Sequence, residues 1–131
     1  MENPRVPLAP EDRRGAERLV HATIRVLLPA KKRKEARVIL ESLIEQTKLE
    51  PGCLGCRLYQ DVLEERALMI EALWASEKDH HRHLRSDKFR TVLLVIEMAA
   101  APPEIRFETV LTSTGMETIR NARGLDDITL I

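Results

Sequence analysis

The sequence predicts an α+β domain of strand–helix–strand–strand–helix–strand order, and three observations predict it. Residues from Val20 to Leu28 alternate in character with period two. Two later stretches, Ala36 to Thr47 and Leu84 to Ile96, space their apolar residues at helical intervals. Between the stretches stand Pro29, Pro51-Gly52 and Pro102-Pro103, residues that end regular structure.

In the first strand Val20, Ala22, Ile24, Val26 and Leu28 make one apolar face, and His21, Thr23, Arg25 and Leu27 make a mixed second one. One side therefore meets a core. From Lys31 to about Leu49 the period becomes helical: Ala36, Ile39, Leu40, Leu43, Ile44 and Thr47 share a stripe. Cys53–Val62 and Arg66–Trp74 read as two strands joined by a hairpin turn near Leu63-Glu64-Glu65. Ser76, with Asp79 three residues on, reads as a capping box opening a second helix with Leu84, Phe89, Val92, Leu93 and Ile96 inward. Glu104–Thr112 reads as the fourth strand, with Ile105, Phe107, Thr109 and Leu111 on one face. This order is the split βαβ, or ferredoxin-like βαββαβ, arrangement: an antiparallel four-stranded sheet with two helices on one face.

The organisation expected is a flexible lead over residues 1–18, a folded unit over 19–112 and an extension over 113–131. The lead carries Pro4, Pro7 and Pro10 among dense charge and has little to bury. In the extension, Gly124 followed by Asp126-Asp127-Ile128-Thr129-Leu130-Ile131 has the pattern of a short strand for its own sheet or a partner's edge.

Composition excludes several classes. Lys plus Arg and Asp plus Glu both total 21, and aromatic residues make up 3% of the chain. Neither a basic face nor a base-stacking platform is available, so no nucleic-acid partner is expected. No apolar run reaches membrane-spanning length, so no membrane partner is expected. No secretory signal is visible among the first fifteen residues and there are only two cysteines, which points to the cytoplasm. The run Lys31-Lys32-Arg33-Lys34 reads as a solvated helix end.

Two helices can cover one face of a four-stranded sheet. The other face would carry Arg25, Leu27, Arg57, Tyr59, Met69, Leu73 and Val110, a mixture that suits a two-fold sheet-to-sheet homodimer. A monomer with a half-wet sheet is the alternative.

Three motifs in fixed order resemble the antibiotic biosynthesis monooxygenase family. They are Pro51-Gly52-Cys53-Leu54-Gly55 leading to Leu58-Tyr59, the strand end Trp74-Ala75-Ser76, and His83-Leu84-Arg85-Ser86-Asp87-Lys88-Phe89 on the helix that follows. With Pro102-Pro103 before the last strand, the resemblance spans about Val20 to Leu111. It implies a dimeric α+β barrel with a pocket between sheet and helices. It also implies oxygenation of a small quinol-like or polyphenolic aromatic by O2 without metal or organic cofactor. The heme-degrading branch of the same superfamily uses an asparagine on the first strand, a tryptophan on the second helix and an axial histidine about ten residues later. Here Thr23 or Ile24, His83 and Leu93 occupy those places, and leucine cannot ligate iron, so no heme is expected.

Oxygenation without a cofactor requires an electron-rich anionic substrate, a base titrating near neutrality and donors for reduced oxygen in a dry pocket. His83 matches the family position and suits the base; a core-edge histidine bonded to backbone is its structural alternative. Trp74 could stack on an aromatic ligand or donate its indole N–H; it could equally plug the core. The pocket wall is expected from Ile24, Val26, Leu58, Ile70 and Phe107, with Phe89 and Val92 above. Cys56, standing where an aromatic is common, would enlarge the pocket. The same residues would also serve an ordinary core. His80 and His81 read as solvated. Cys53 and Cys56 form a C-x-x-C within a strand, where positions three apart face opposite ways, so neither a disulfide nor a zinc site with His80 and His83 is expected. A non-catalytic dimeric small-molecule-binding or stress-associated domain of the same fold is the rival to an enzyme.

Overall fold

A computed structural model describes residues 18–125. Its elements are β1 (Val20–Leu27), α1 (Ala30–Thr47), β2 (Cys53–Gln60), β3 (Ala67–Trp74), α2 (Glu77–Leu84), α3 (Asp87–Glu97), β4 (Glu104–Thr109) and α4 (Met116–Arg123). The four strands make one sheet in the order β2-β3-β1-β4, antiparallel at every join. This is the ferredoxin-like α+β fold.

Alternation in β1 works as its sequence predicts. Val20, Ala22, Ile24 and Val26 are buried while the residues between them are half-buried. In β3 Ala67 is buried at the strand start, and the buried alternating set Leu68, Ile70, Ala72 and Trp74 stands opposite β1 in register as Val26↔Leu68, Ile24↔Ile70, Ala22↔Ala72 and Val20↔Trp74. α1 lays Ala36, Leu40, Leu43, Ile44 and Thr47 on this surface. Leu28 and Leu40 are fully enclosed, so truncating either would leave a cavity rather than a wet gap.

The second helical stretch is two helices rather than one. α2 closes at Arg85, Ser86 turns extended (φ −76°, ψ 159°), and α3 begins at Asp87. The break lies at Ser86-Asp87, a helix-start pair placed in mid-run, and the Ser86 hydroxyl donates to the His83 carbonyl at 2.6 Å. The change of axis alters which residues face inward. Val92 and Val95 are buried, whereas Leu93, expected inside, is 48% exposed.

The last strand ends at Thr109, and residues 116–123 form a helix that the sequence reading lacked. Gly124 ends α4 in the left-handed region (φ 69°). The lead expected over 1–18, apart from its last residue, and the strand expected over 126–131 lie outside the described residues.

A bulge in β2 overturns one inference about the cysteines. The pairing shifts between Cys53 and Gly55, so Cys53 opposes Trp74 and Cys56 opposes Ala72. Trp74 and Ala72 point the same way, and the extra residue therefore brings both cysteines to the helix side of the sheet. Both are free thiols.

Gly52 connects α1 to β2 with φ 82°, and a Cβ there would run into the Asp79 carboxyl. Its carbonyl accepts from Ala75 N–H at 2.8 Å, tying this loop to the end of β3. Gly52→Ala should lose at least about 1 kcal/mol of stability, the cost of a left-handed L-residue before any clash. Urea unfolding checks this; an unchanged midpoint would show that the loop relaxes freely.

Candidate active site

Trp74 ends β3, and Ser76 caps α2 two residues later. The Ser76 hydroxyl oxygen accepts from Asp79 N–H at 3.1 Å, the N-cap expected, while the Asp79 carboxylate accepts from the Ser76 hydroxyl at 2.9 Å in place of the capping box's bond to the backbone N–H. Asp79 also pairs with Arg82. So short a connection leaves α2 lying over the indole. His80 and His83, three apart on one helix face, both turn inward onto it. His83 stacks at 4.8 Å between ring centroids with the planes 31° apart, and His80 lies 6.2 Å away. Trp74 is 1% exposed, His80 3% and His83 8%.

The solvated state expected for His80 is thus wrong. Spacing alone could have shown that His80 shares the face of His83, but a polar helix of eight residues offers no apolar stripe to mark which face is inner. His81 does remain at the surface, 3.9 Å from Glu77.

Beneath these rings is a small apolar cavity. Ile24, Cys56, Ile70, Phe89, Val92 and Phe107 line it, as do Trp74, His80 and His83. Leu58 and Val26 do not. Leu58 sits farther along the β2 edge, with Ile44 and Lys48 around a separate shallow pocket, and Val26 is enclosed in the core. About 30 Å³ of the cavity is open to the centre of a water molecule, room for about two waters. A benzenoid ring would require side chains to move. Phe107 on the edge strand β4 is 45% exposed, and its ring meets His80 edge-on at 4.6 Å. Phe89 meets His83 edge-on at 5.4 Å.

The polar component that sequence reasoning missed is Glu50. Its carboxylate oxygens lie 3.0 and 3.1 Å from His83 Nδ1, and Lys88 Nζ lies 3.9 Å from the same carboxylate. Glu50 directly precedes Pro51-Gly52, and the loop that contacts Asp79 and Ala75 carries it to α2. The thirty-three residues separating it from His83 leave no local pattern by which to find it. A carboxylate at Nδ1 sets the neutral tautomer with its proton there, leaving Nε2 as the basic nitrogen.

Trp74 Nε1 is buried without a hydrogen-bond partner, an omission worth about 1–3 kcal/mol if nothing fills it. Among the described residues the His80 ring also makes no hydrogen bond. Burial, reinforced by the neighbouring His81 and His83, holds the His80 pKa below the ordinary histidine value. Burial pushes the Cys56 thiol up to about 12, so it stays protonated and poorly nucleophilic at neutral pH. Among the described residues no group of three or more His, Cys, Asp or Glu is arranged to hold a metal ion. No helix among them is long and apolar enough to cross a membrane.

A four-stranded antiparallel sheet roofed on one side by helices, with His83 and Trp74 lining the intervening cavity and Glu50 bonded to His83, defines an α+β domain with a small buried cavity. The profile of the antibiotic biosynthesis monooxygenase family matches residues 19–93. The chain belongs to that family. Among proteins similar to it is the uncharacterised protein sll1783 of Synechocystis, 24% identical over 101 residues, which are 76% of this chain and 69% of that one. The crystal structure of a conserved protein from Methanosarcina mazei aligns at a TM-score of 0.66 with 26% identity, covering 70% of this chain and 92% of that chain. Rv0793 from Mycobacterium tuberculosis aligns at a TM-score of 0.68 with 20% identity, covering 74% and 99%. This last likeness is one of fold.

His80 gives the site a pH signature. Its folded pKa lies below the unfolded value of about 6.5, so only the unfolded chain gains its proton readily. That contribution to stability is full above pH 6.5 and is lost as pH falls from there towards the folded pKa. His80→Asn should therefore weaken the drop in urea midpoint between pH 7.5 and pH 5.5. An identical drop in the variant would place the acid sensitivity elsewhere.

Proposed function

We propose that this chain is a monooxygenase that uses O2 on a small quinol or polyphenol without metal or organic cofactor, and that it works as a homodimer. Family membership supports the reaction class. His83, bonded to Glu50 and lining an apolar cavity beside an indole whose N–H has no partner, is the observation that carries the reading.

In this reaction His83 Nε2 takes a substrate hydroxyl proton. The resulting imidazolium is held by the Glu50 carboxylate and by the indole face stacked against it. The phenolate, now electron-rich, passes an electron to triplet oxygen, and the radical pair combines at the ring. One oxygen atom enters the ring, and the other leaves as water with two substrate hydrogens. Ile24, Cys56, Ile70, Phe89, Val92 and Phe107 keep bulk water away. Glu50 is a positioning residue, because it acts through His83.

The homodimer reading rests on the sheet face that the helices leave bare. There His21 Nε2 meets Glu71 at 2.8 Å, Tyr59 O–H donates to Glu71 at 3.0 Å, and Arg25 pairs with Asp61 at 3.0 Å. The hydrogen bond from His21 is the main reason the Glu71 carboxyl lies below its ordinary pKa. Leu27, Met69 and Leu73 lie half-buried among these groups, so the polar atoms are already satisfied and the apolar area remains for a twin.

Oxygen consumption with a panel of hydroquinones tests the enzyme. Uptake should exceed autoxidation, and His83→Ala should lower it by about 10²-fold or more, the usual contribution of a positioned base. Glu50→Gln should lower kcat with a smaller change in KM and shift its pH profile. Uptake no greater than autoxidation across the panel would favour a binding domain. Light scattering on a sizing column should give twice 15.0 kDa; a monomer at high concentration would refute the sheet-to-sheet pairing.

A further inference from the structure

His83 accounts for one polar end of the cavity. Two other groups remain unexplained by the proton transfer. Trp74 Nε1–H is a buried donor with no acceptor, and the His80 ring, 97% enclosed, lines the same cavity with no hydrogen bond among the described residues. The two side chains are neighbours, with ring centroids 6.2 Å apart, and His80 stands next to Phe107 at the side where the cavity wall is half exposed.

We propose that Trp74 and His80 form a hydroxyl-binding subsite that grips the ligand beside His83, on the Phe107 side of the cavity. The chemistry of the two groups selects the ligand. Indole N–H can only donate, and an imidazole kept neutral by burial can accept. A hydroxyl satisfies both at once, since its oxygen accepts from Trp74 and its proton goes to His80. An ether oxygen satisfies Trp74 alone. An unsubstituted ring position satisfies neither and leaves the buried indole N–H unpaired, the kind of arrangement by which sites reject analogues lacking a hydroxyl. His80 is accordingly a specificity-determining residue, distinct from the base. The inference rests on the reading of this cavity as the substrate site.

The single tryptophan of the chain supplies its own probe. In ¹⁵N-labelled full-length protein the indole N–H of Trp74 gives one resonance, which can be followed under anaerobic conditions while hydroquinone, 4-methoxyphenol and phenol are titrated separately. Hydroquinone should move the indole resonance and bind about tenfold more tightly than phenol, with 4-methoxyphenol nearer to phenol. In His80→Phe the hydroquinone advantage should shrink to about twofold or less, and His80→Asn, which restores an acceptor, should regain part of it. Should His80→Phe fail to fold, the comparison of hydroquinone with 4-methoxyphenol in the wild type decides the matter alone. Equal affinity for the three ligands, an indole resonance that stays put at saturation, an advantage that survives His80→Phe, or no binding at all would each overturn the subsite. The two readings fail separately. Oxygen uptake with no hydroxyl preference removes the subsite and leaves the monooxygenase, whereas a preference without uptake does the reverse.

Discussion

The indole of Trp74 must be enclosed where the sheet ends, and most of the molecule's particular shape follows from how that is done. Val20 and Cys53 flank it in register on the neighbouring strands, and α2 begins only three residues later. A helix started so close to the strand end has no room to swing away, so its inner face closes over the ring. That face carries histidines at positions 80 and 83, because Leu84 is the one apolar residue in the segment. Two imidazoles packed on an indole leave less apolar contact than leucines would. They leave instead a cavity with polar atoms at its edge.

The helices cover one side of the sheet, and the two sides have taken different characters. On the covered side the strands present chiefly Ile, Val, Ala and Cys, and Glu50, carried from outside by the Pro51-Gly52 turn, reaches in to His83. On the bare side the polar atoms find one another across strands, with Glu71 serving both His21 and Tyr59 and Arg25 serving both Asp61 and Glu104. Charge on the outer face is thereby tied down in pairs. On the inner side the Glu50 carboxylate is tied to His83, whose ring lines the cavity.

Much of the fold could be read from the chain, since alternation and helical spacing depend only on neighbours a few residues away. β1 is the clearest case: each residue assigned inward is buried. Reading failed where the local pattern was ambiguous or interrupted. The run from Ser76 to Ile96 looks like one helix by spacing, yet Ser86-Asp87 can start a helix as well as continue one, and the backbone took the start. In β2 a single bulged residue inverted the facing of everything before it, so that Cys53 and Cys56 fell on one side against the simple rule.

The candidate site divides along the same line. From the sequence by itself came the strand order, the inner face of the sheet, the tryptophan at the end of β3 and the histidine one turn before Phe89, because each is set by periodicity and chain order. Tertiary structure alone decided that Glu50 meets His83, that His80 turns inward rather than to solvent, that Leu58 falls outside the cavity and that the cavity is barely larger than two waters. Those outcomes depend on where a loop lands and how closely two layers approach. Distances between groups far apart in the chain are settled by packing, and no local repeat encodes them.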